Sequence, residues 1–412
     1  MTDSLGKGGG SGGARGQQAR PPSFYRRKQR GTASARNRVL GWLAVGLAFC
    51  LVAISLTAYL KFRAVWDSID RVQVTGLGAR PPKFNTALNI LVIGSDTRSG
   101  KNRRFGAKIT GQRSDTVIVL HIEPGGRNVV VLSIPRDSVV PILSCPAEAG
   151  TGGQAAQPGQ VEQINATYAN GGPGCLWKTI EQTTHIHVDH FIELNFTGFE
   201  QVINDIGGVN ICLPFAIHDP QSRLHLGPGR HHVGGAEALA FWRARYIGEG
   251  SDLQRIQRDQ FLMASLLQGI ERTSLLSSPT KLLSVITDAA RSMTTDTGLS
   301  LSTLTRIIES LRNLRARSVQ FVELPTVGYP ANPAWVEWPP SDAPLFSAIA
   351  HDRSLPKTAS KTRSASRVAL TALAHTKPSP SPPSFVRQYG GITGSTNVCH
   401  DKQAFAGPRH GN

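Results

Sequence analysis

The chain has 412 residues and a formal net charge of +17, a length that allows one large or two ordinary domains with a sizeable core. The charge is confined to the two ends: residues 1–38 and residues 353–412 each carry +8, which leaves +1 for residues 39–352. Neither end interleaves its basic residues with aromatic ones, which argues against nucleic-acid binding. Small, polar and basic residues dominate both ends, so we predict that both are disordered.

An uncharged run of 22 residues at positions 39–60 is long enough to cross a bilayer as a helix. A signal peptide has a shorter apolar region and a small-residue cleavage site, so the run favours a permanent anchor. Six Lys and Arg residues lie between positions 26 and 38, whereas only Lys61 and Arg63 follow the run closely. The positive-inside rule then predicts a single-pass protein of the cell membrane with a cytoplasmic N-terminus. Residues 61–87 are expected to form a connector, and residues 88–352 an extracytoplasmic domain.

Five cysteines are compatible with an oxidising exterior. Cys50 falls in the expected membrane span, and the other four could form two disulfides. Cys145 and Cys175 bracket an insertion rich in Gly, Gln and Ala, so a bridge between them would fix that loop. Cys212 and Cys399 are left by elimination only, and free thiols remain the alternative for either pair. The absence of a CxxC motif argues against zinc or redox chemistry.

The stretch from Asn89 to Asp137 contains three apolar runs that are typical of buried strands. Charged residues stand at the ends of these runs: Asp96, Arg98, Arg113, Asp115, Arg136 and Asp137. Because α/β proteins build sites at strand ends, we expect a cluster of carboxylates and guanidiniums at one edge of a sheet.

After Asp137 the chain reads as loop-like until the strand pattern DHFIELNF. TGFEQVINDIGG predicts a helix capped by Thr197, and VNICLP predicts a second strand, an order that suggests a βαβ element. Apolar spacing predicts helices over residues 252–270, 279–290 and 300–314, and VQFVELP reads as a late strand.

The acid pair Asp96 and Asp115 is a candidate magnesium site. Magnesium takes oxygen ligands, typically one or two carboxylates together with substrate phosphates. The alternative is a pair of ordinary loop carboxylates, one capping a turn and the other paired with Arg113, and spacing alone favours this alternative.

Seven arginines could bind phosphate, since the guanidinium fork matches phosphate oxygens. They are Arg98, Arg113, Arg136, Arg243, Arg245, Arg255 and Arg258. Arg243 and Arg245 would share one side if FWRARY is extended. Salt bridges to Asp115, Asp137, Asp252 and Asp259 are the alternative, and the residues alone leave the two interpretations open.

Two other motifs carry less weight. GSDTRSGKN resembles a P-loop, but its spacing is one residue too long and Asn102 replaces the Ser or Thr that would hold the metal ion. HIHVDH contains three histidines (His185, His187 and His190) without HExxH spacing, so we expect surface or core roles for them.

Seven ordered motifs closely resemble the LytR-CpsA-Psr family of bacterial cell-envelope proteins, in an actinobacterial style. They are NILVIGSDTR, RSDTVIVLHI, VVVLSIPRDS, INATYANGG, ELNFTGFEQVINDIGGV, GGAEALAFWRARY and DLQRIQRDQ. The resemblance implies an α/β fold: a three-layer α/β/α domain with a central mixed sheet. It also implies a phosphotransferase that moves a glycopolymer such as teichoic acid from a polyprenyl-pyrophosphate carrier to the muramic acid 6-hydroxyl of peptidoglycan.

The resemblance assigns roles to individual residues. Asp96 and Asp115 match the ligands of Mg²⁺, with Mn²⁺ as a second ion that would suit them. The positions that match the catalytic arginines are Arg113, Arg136, Arg243 and Arg245, and these four together with Arg255 match the pyrophosphate-binding set. The implied partners are the lipid-linked polymer, peptidoglycan and the bilayer, and no nucleic acid.

One position departs from the family pattern. Many members have Arg-Gln-Gln where this chain has Arg258-Asp259-Gln260, so an anionic group replaces a polar one beside the expected pyrophosphate site. Two alternatives to the ligase stay open. One is a polyprenyl-pyrophosphate phosphatase with water as the acceptor. The other is a non-catalytic scaffold or attenuator that binds lipid-linked polymer, with Asp259 as a sign of lost catalysis.

Overall fold

The computed structural model describes residues 32–96, 114–145, 161–213, 215–244, 252–272, 278–355 and 392–393. The chain divides into two compact units, Met1–Lys61 and Phe62–Asn412. Most of the residues expected to be disordered, and Arg98, Arg113, Arg245 and Cys399, lie outside the described residues.

The helices are α1 (Thr32–Asp67), α2 (Ile164–Thr184), α3 (Phe196–Ile206), α4 (Gly235–Arg243), α5 (Asp252–Arg272), α6 (Pro279–Ala290), α7 (Leu301–Asn313) and α8 (Ala343–Ala350). The strands are β1 (Asp70–Val72), β2 (Leu88–Ser95), β3 (Ser114–Ile122), β4 (Val129–Ile134), β5 (Val139–Pro141), β6 (Val161–Gln163), β7 (His190–Asn195), β8 (Val209–Leu213), β9 (Ile217–Asp219), β10 (Leu224–Leu226), β11 (Gly229–Val233), β12 (Met293–Asp296), β13 (Val319–Glu323), β14 (Val327–Tyr329), β15 (Asn332–Glu337) and β16 (Ile392–Thr393).

Within the described residues, one segment, Asn37–Asp67 of α1, is long and apolar enough to cross a membrane. Its large apolar side chains are exposed, Trp42 by 76% and Phe49 by 74%. The helix extends beyond the predicted span of 39–60 at both ends. The prediction rested on the uncharged run, which covers only the part of the helix that can lie in lipid. The residues after Leu60 continue the helix, and Arg63 and Asp67 form an i,i+4 ion pair at 3.6 Å.

The central sheet has eight strands in the order β1-β12-β7-β2-β3-β4-β13-β16. Strands β2, β4, β7 and β13 run in one direction, and their neighbours β3, β12 and β16 run in the other. The sheet is therefore mixed. The three apolar runs between Asn89 and Asp137 are its central strands, as the sequence predicts.

Helices cover both faces of this sheet because its central strands are apolar on both sides. On one face Leu91 and Ile93 of β2 belong to a core cluster with residues of α2 and α8. On the other face Ile90 belongs to a cluster with Ala264 of α5 and Ile307 of α7. This arrangement confirms the predicted three-layer α/β fold with a central mixed sheet.

Several predicted elements differ from the structure. Residues 164–184, expected to be loop-like, form α2. The predicted βαβ element is wrong, because β8 pairs with β11 in a separate hairpin and β7 lies between β2 and β12. Asn195, and not Thr197, caps α3 by accepting a hydrogen bond from the Gly198 backbone amide at 3.0 Å.

Two residues of the segment expected to be disordered, Ile392 and Thr393, form strand β16, which pairs with β13. Most of residues 353–412 lie outside the described residues. Cys145 and Cys175 form a disulfide with a Cα–Cα separation of 5.6 Å. Cys212 is disulfide-bonded too, and its partner lies outside the described residues.

Candidate functional site

The site lies at one edge of the central sheet, where β2, β4 and β7 end and β3 begins. We call this the site edge. Asp96 directly follows β2, Asp115 is the second residue of β3, and Arg136 follows β4 after Pro135. Because these strands are hydrogen-bonded neighbours, three of the sequence-predicted site residues come together here.

A β-bulge sets the position of Asp115. Gly94 pairs with Thr116 and Ser95 pairs with Ser114, so Asp115 is the extra residue of the bulge. Bulges re-aim side chains at strand ends and are frequent beside active sites. Gly94 also permits close packing, since a Cβ atom there would lie 3.0 Å from Thr116 Cβ and 3.6 Å from the Trp242 ring.

Asp115 is held between two guanidiniums. Arg136 Nη1 donates to Asp115 Oδ1 at 2.7 Å, and Arg255 Nη1 lies 3.7 Å from the same oxygen. Arg136 Nε is also 3.7 Å from Asp137 Oδ2. The carboxylate therefore orients two positive groups toward one point at the site edge.

Arg255 enters this cluster from α5 and is buried, with 8% of its surface exposed. Its Nε and Nη1 atoms are buried and have no hydrogen-bond partner among the described residues. The Asp115 carboxylate offsets the charge of Arg255 but lies beyond hydrogen-bond distance, and buried donors without an acceptor cost free energy. The described part of the structure thus contains unfilled guanidinium donors beside Arg136, an arrangement that fits an anion with several oxygens.

Helix α4 carries Arg243 to the same region. The Arg243 guanidinium lies 4.9 Å from the centre of the Phe196 ring, and Phe196 follows β7, whose last residue Asn195 pairs with Ser95 of β2. Arg243 is the last residue of a helix, so FWRARY is not extended up to this residue, which was the condition for Arg243 and Arg245 to share one side. Helix α4 is capped by Gly234 and begins at Gly235. Burial of Ala238, Leu239 and Phe241 stabilises it.

Two neighbours of Arg255 on α5 have different roles. Arg258 Nη2 donates to the Ala244 carbonyl at 3.1 Å, so this buried arginine anchors the segment that follows Arg243. Asp259 is 7% exposed and lines a small cleft together with Asp115, Arg136 and Arg255. The departure from the family pattern therefore lies within the candidate site.

Sequence reasoning missed several residues that line this cleft, among them Thr116, Ser133, Ile256 and Met263. Ser133 Oγ accepts a hydrogen bond from Gln260 Nε2 at 3.3 Å, which ties α5 to β4. The alternation of β3 and β4 could have indicated Thr116 and Ser133, because both are hydroxyl residues inside apolar runs.

The three histidines of HIHVDH lie in separate surroundings. His185 ends α2 in a left-handed conformation (φ 56°), and His187 Nδ1 lies 2.9 Å from the Pro81 carbonyl oxygen. His190 Nδ1 lies 3.1 Å from Asp296 Oδ1. The expected surface and core roles fit these contacts.

The side chains at the site edge include carboxylates, which are the kind of ligand that a magnesium ion takes. Asp96 and Asp115 provide two carboxylates at the ends of adjacent strands, and magnesium takes its remaining oxygens from substrate phosphates and water. Within the described residues no group of three or more His, Cys, Asp or Glu side chains is placed to hold a metal ion. A metal ion at this edge would therefore depend on its substrate for ligands.

Comparison with known proteins identifies the relatives of this chain. The LytR_cpsA_psr family model matches residues 63–339. The chain belongs to this family. The matched region contains all the predicted site residues, and it begins within the last turns of α1.

Two relatives illustrate the family. The chain is 30% identical over 282 residues to the probable cell wall biosynthesis protein LcpB of Corynebacterium glutamicum, covering 66% of this chain and 61% of the relative. It is 26% identical over 258 residues to the polyisoprenyl-teichoic acid–peptidoglycan teichoic acid transferase TagV of Bacillus subtilis, covering 60% of this chain and 61% of TagV. The chain thus spans about three fifths of the length of these curated relatives.

The fold has also been seen in a solved structure of the LytR_cpsA_psr type. The LytR-Csp2A-Psr enzyme of Actinomyces oris superposes with a TM-score of 0.51 at 21% identity, over 68% of this chain and 96% of that protein. This likeness supports the three-layer architecture.

Proposed function

We propose that this LytR_cpsA_psr protein is a membrane-anchored phosphotransferase. Its donor would be a glycopolymer on a polyprenyl-pyrophosphate carrier, and its acceptor the muramic acid 6-hydroxyl of peptidoglycan. The observation that carries the proposal is Arg255, whose buried donors have no acceptor in the described structure and face the Asp115–Arg136 pair. The names of relatives such as TagV agree with a transferase of this class.

Phosphoryl transfer depends more on positioning and charge neutralisation than on covalent chemistry by the protein. In the proposed reaction the acceptor hydroxyl oxygen forms a bond to the phosphorus that carries the glycopolymer. The anhydride bond breaks, polyprenyl phosphate leaves with the bonding electrons, and the hydroxyl proton is released to solvent or to a base. Arg136 and Arg255 bind the pyrophosphate oxygens and stabilise the charge that develops on the leaving phosphate.

Asp115 has a positioning role in this scheme, because it holds both guanidiniums before the donor arrives. Arg243 reaches the site edge from α4 and adds positive charge there. When bound, a magnesium ion on Asp96 and Asp115 would neutralise further charge on the pyrophosphate. The apolar helix α1 would keep the enzyme at the membrane in which a lipid-linked donor lies.

The direct test uses the full chain purified in detergent, with a lipid-linked polymer donor, peptidoglycan and Mg²⁺. Arg255→Ala should lower the rate of conjugate formation by at least a hundred-fold, because it removes the forked donor at the pyrophosphate. Arg306→Ala, an exposed arginine on α7, is the matched control and should leave the rate unchanged. Full activity of Arg255→Ala would refute the proposal.

The same assay separates the proposed ligase from its alternatives. Conjugate and polyprenyl phosphate appearing in equal amounts support the ligase. Free polymer released without conjugate would indicate a phosphatase. Donor binding without turnover in the presence of Mg²⁺ would indicate a scaffold.

A further inference from the structure

The hairpin of β9 and β10 carries a pair of histidines away from the site edge. The two strands are antiparallel, and His218 lies directly opposite His225 in their register. The neighbouring residues Ile217, Asp219 and Leu224 point into the protein and are at most 4% exposed. Because side chains alternate along a strand, both imidazoles are on the solvent-facing side, where both residues are exposed.

The two imidazole rings converge on one point. The Nδ1 atoms of His218 and His225 are 2.8 Å apart, and the ring centres are 3.9 Å apart with the planes at 77°. At this distance one Nδ1 must donate a proton and the other must accept it. Two lone-pair positions therefore share a single proton at the surface.

The turn between the strands fixes this geometry. The buried Asp219 carboxylate accepts hydrogen bonds from the backbone amides of Gln221 and Ser222, at 2.8 and 2.9 Å. Ile217 and Leu224 belong to the same apolar cluster, which anchors both strands. A ligand that needs both imidazoles would find them already positioned, with little ordering cost.

The other two histidines of this region have partners elsewhere. His231 Nε2 lies 2.7 Å from the Gly227 carbonyl oxygen, and His232 contacts Asn210 and the Gly207 carbonyl. His218 and His225 are therefore the pair that faces one shared position.

We propose that His218 and His225 form a binding site for a divalent transition metal, with Zn²⁺ as its typical occupant. Neutral imidazole is a preferred ligand of Zn²⁺, Cu²⁺ and Ni²⁺. The metal ion replaces the shared proton, and the nitrogens separate from 2.8 Å to about 3.3 Å, as tetrahedral Zn–N bonds of about 2.0–2.1 Å require. Water completes the coordination. Mg²⁺ does not compete, because it takes oxygen ligands.

The test is a calorimetric Zn²⁺ titration of the untagged full chain in detergent, after EDTA treatment and dialysis, at pH 7.5. His218→Gln and His225→Gln should each lose one Zn²⁺ equivalent or bind it at least ten-fold more weakly. The matched control His231→Gln should bind as the wild type does. Titration with Mg²⁺ at the same concentrations should give the same result for the wild type, His218→Gln and His225→Gln.

A second measurement guards against a folding defect. Zn²⁺ should raise the midpoint of thermal unfolding of the wild type and of His231→Gln, and leave that of His218→Gln and His225→Gln unchanged. Wild-type stoichiometry and affinity in His218→Gln and His225→Gln would overturn the proposal.

Discussion

Arg255 shows how one side chain can report on a ligand. Arg258 is also buried, and its Nη2 atom donates to the Ala244 carbonyl, which fastens α5 to the end of α4. Arg255, one helical turn earlier, has two buried nitrogens, Nε and Nη1, that donate no hydrogen bond within the described residues. These two nitrogens lie beside Arg136 and Asp115, so we expect them to bind an anion there.

The negative charge of Asp259 should weaken the binding of an anion at Arg255. Its carboxylate lines the same cleft as Arg255 and would lie near a bound pyrophosphate. We expect Asp259→Gln to raise the affinity for the lipid-linked donor by roughly three- to ten-fold, the size typical of one partly screened charge. Donor titration of the full chain in detergent measures this, and the thermal midpoint serves as the folding control. Unchanged or weaker binding at an unchanged midpoint would contradict the expectation.

At the scale of elements, α4 is placed by its closeness to α3. A Cβ atom on Gly235 would overlap the Glu200 carbonyl oxygen and crowd Asn204, whose Oδ1 accepts the Gly235 amide at 2.7 Å. Because α4 carries Arg243, the approach of these two helices sets where that guanidinium lies.

Gly235→Ala should therefore lower the free energy of unfolding by about 1–3 kcal/mol, the usual cost of overpacking a rigid contact. Gly227→Ala is the matched control, since a Cβ atom there meets nothing within 4 Å. Chemical denaturation of both variants measures the effect. Equal stability of the two would show that α3 and α4 can separate without cost.

The contact between α3 and α6 makes stability depend on pH. Burial, and then the hydrogen bond and charge of Asp288, raise the pKa of Asp205 above its ordinary value of 3.8. The folded protein thus keeps a proton that the unfolded chain loses, so this stabilisation is complete below pH 3.8 and is lost as the pH rises through the raised pKa.

Asp288→Asn should weaken this pH dependence, because the amide donates to Asp205 without adding charge, while the effect of burial stays. Thermal midpoints measured from pH 3.5 to pH 7 should fall less steeply in the variant than in the wild type. The surface pair of Asp288 with Arg291 is also lost, but such exposed pairs contribute little. Identical slopes would argue against coupling between the two carboxyl groups.

Sequence patterns predicted those elements whose apolar spacing was uninterrupted. The bounds of α6 were predicted as observed, and α5 differs by two residues at its end. Helix α2 was missed because Gly171, Gly172 and Pro173 read as a break. The structure does break there, with Gly172 at φ 64° and ψ −163°, but helix continues on both sides.

The site was predictable only in part for a similar reason. Asp115 lies in β3 and Arg136 lies two residues beyond the end of β4, its antiparallel neighbour in the sheet and the next strand in sequence. Their 2.7 Å contact therefore follows from the pairing of these two strands. Arg255 arrives from a helix far along the chain, and nothing in local spacing places it there. The residues alone offered Arg255 as one of seven candidate arginines, and the family resemblance assigned it to the pyrophosphate site.

At the scale of the whole molecule, a disulfide links the segment that follows β5 to helix α2. Cys145 and Cys175 are 30 residues apart in sequence and both are buried. Closing a loop of this size restricts the unfolded chain and typically contributes about 2–4 kcal/mol. The double variant Cys145→Ala/Cys175→Ala should lose stability by about that amount in chemical denaturation.

Cys50→Ala is the control for this prediction, because Cys50 is an exposed free cysteine on α1. Its unfolding midpoint should match that of the wild type. A double variant as stable as the wild type would show that the loop is held by packing alone.

The strand order of the central sheet has a consequence for how the protein is made. Strands β2, β3 and β4 are neighbours in sequence and need no later part of the chain in order to pair. Strand β1 can pair with β12 only after the chain has been synthesised beyond Thr294. Strand β4 can pair with β13 only after synthesis has passed Val319. Such long-range pairing slows folding and leaves open strand edges in the meantime. The first carboxylate of the site edge is therefore synthesised early, but the sheet that supports it is complete only when the last strands arrive.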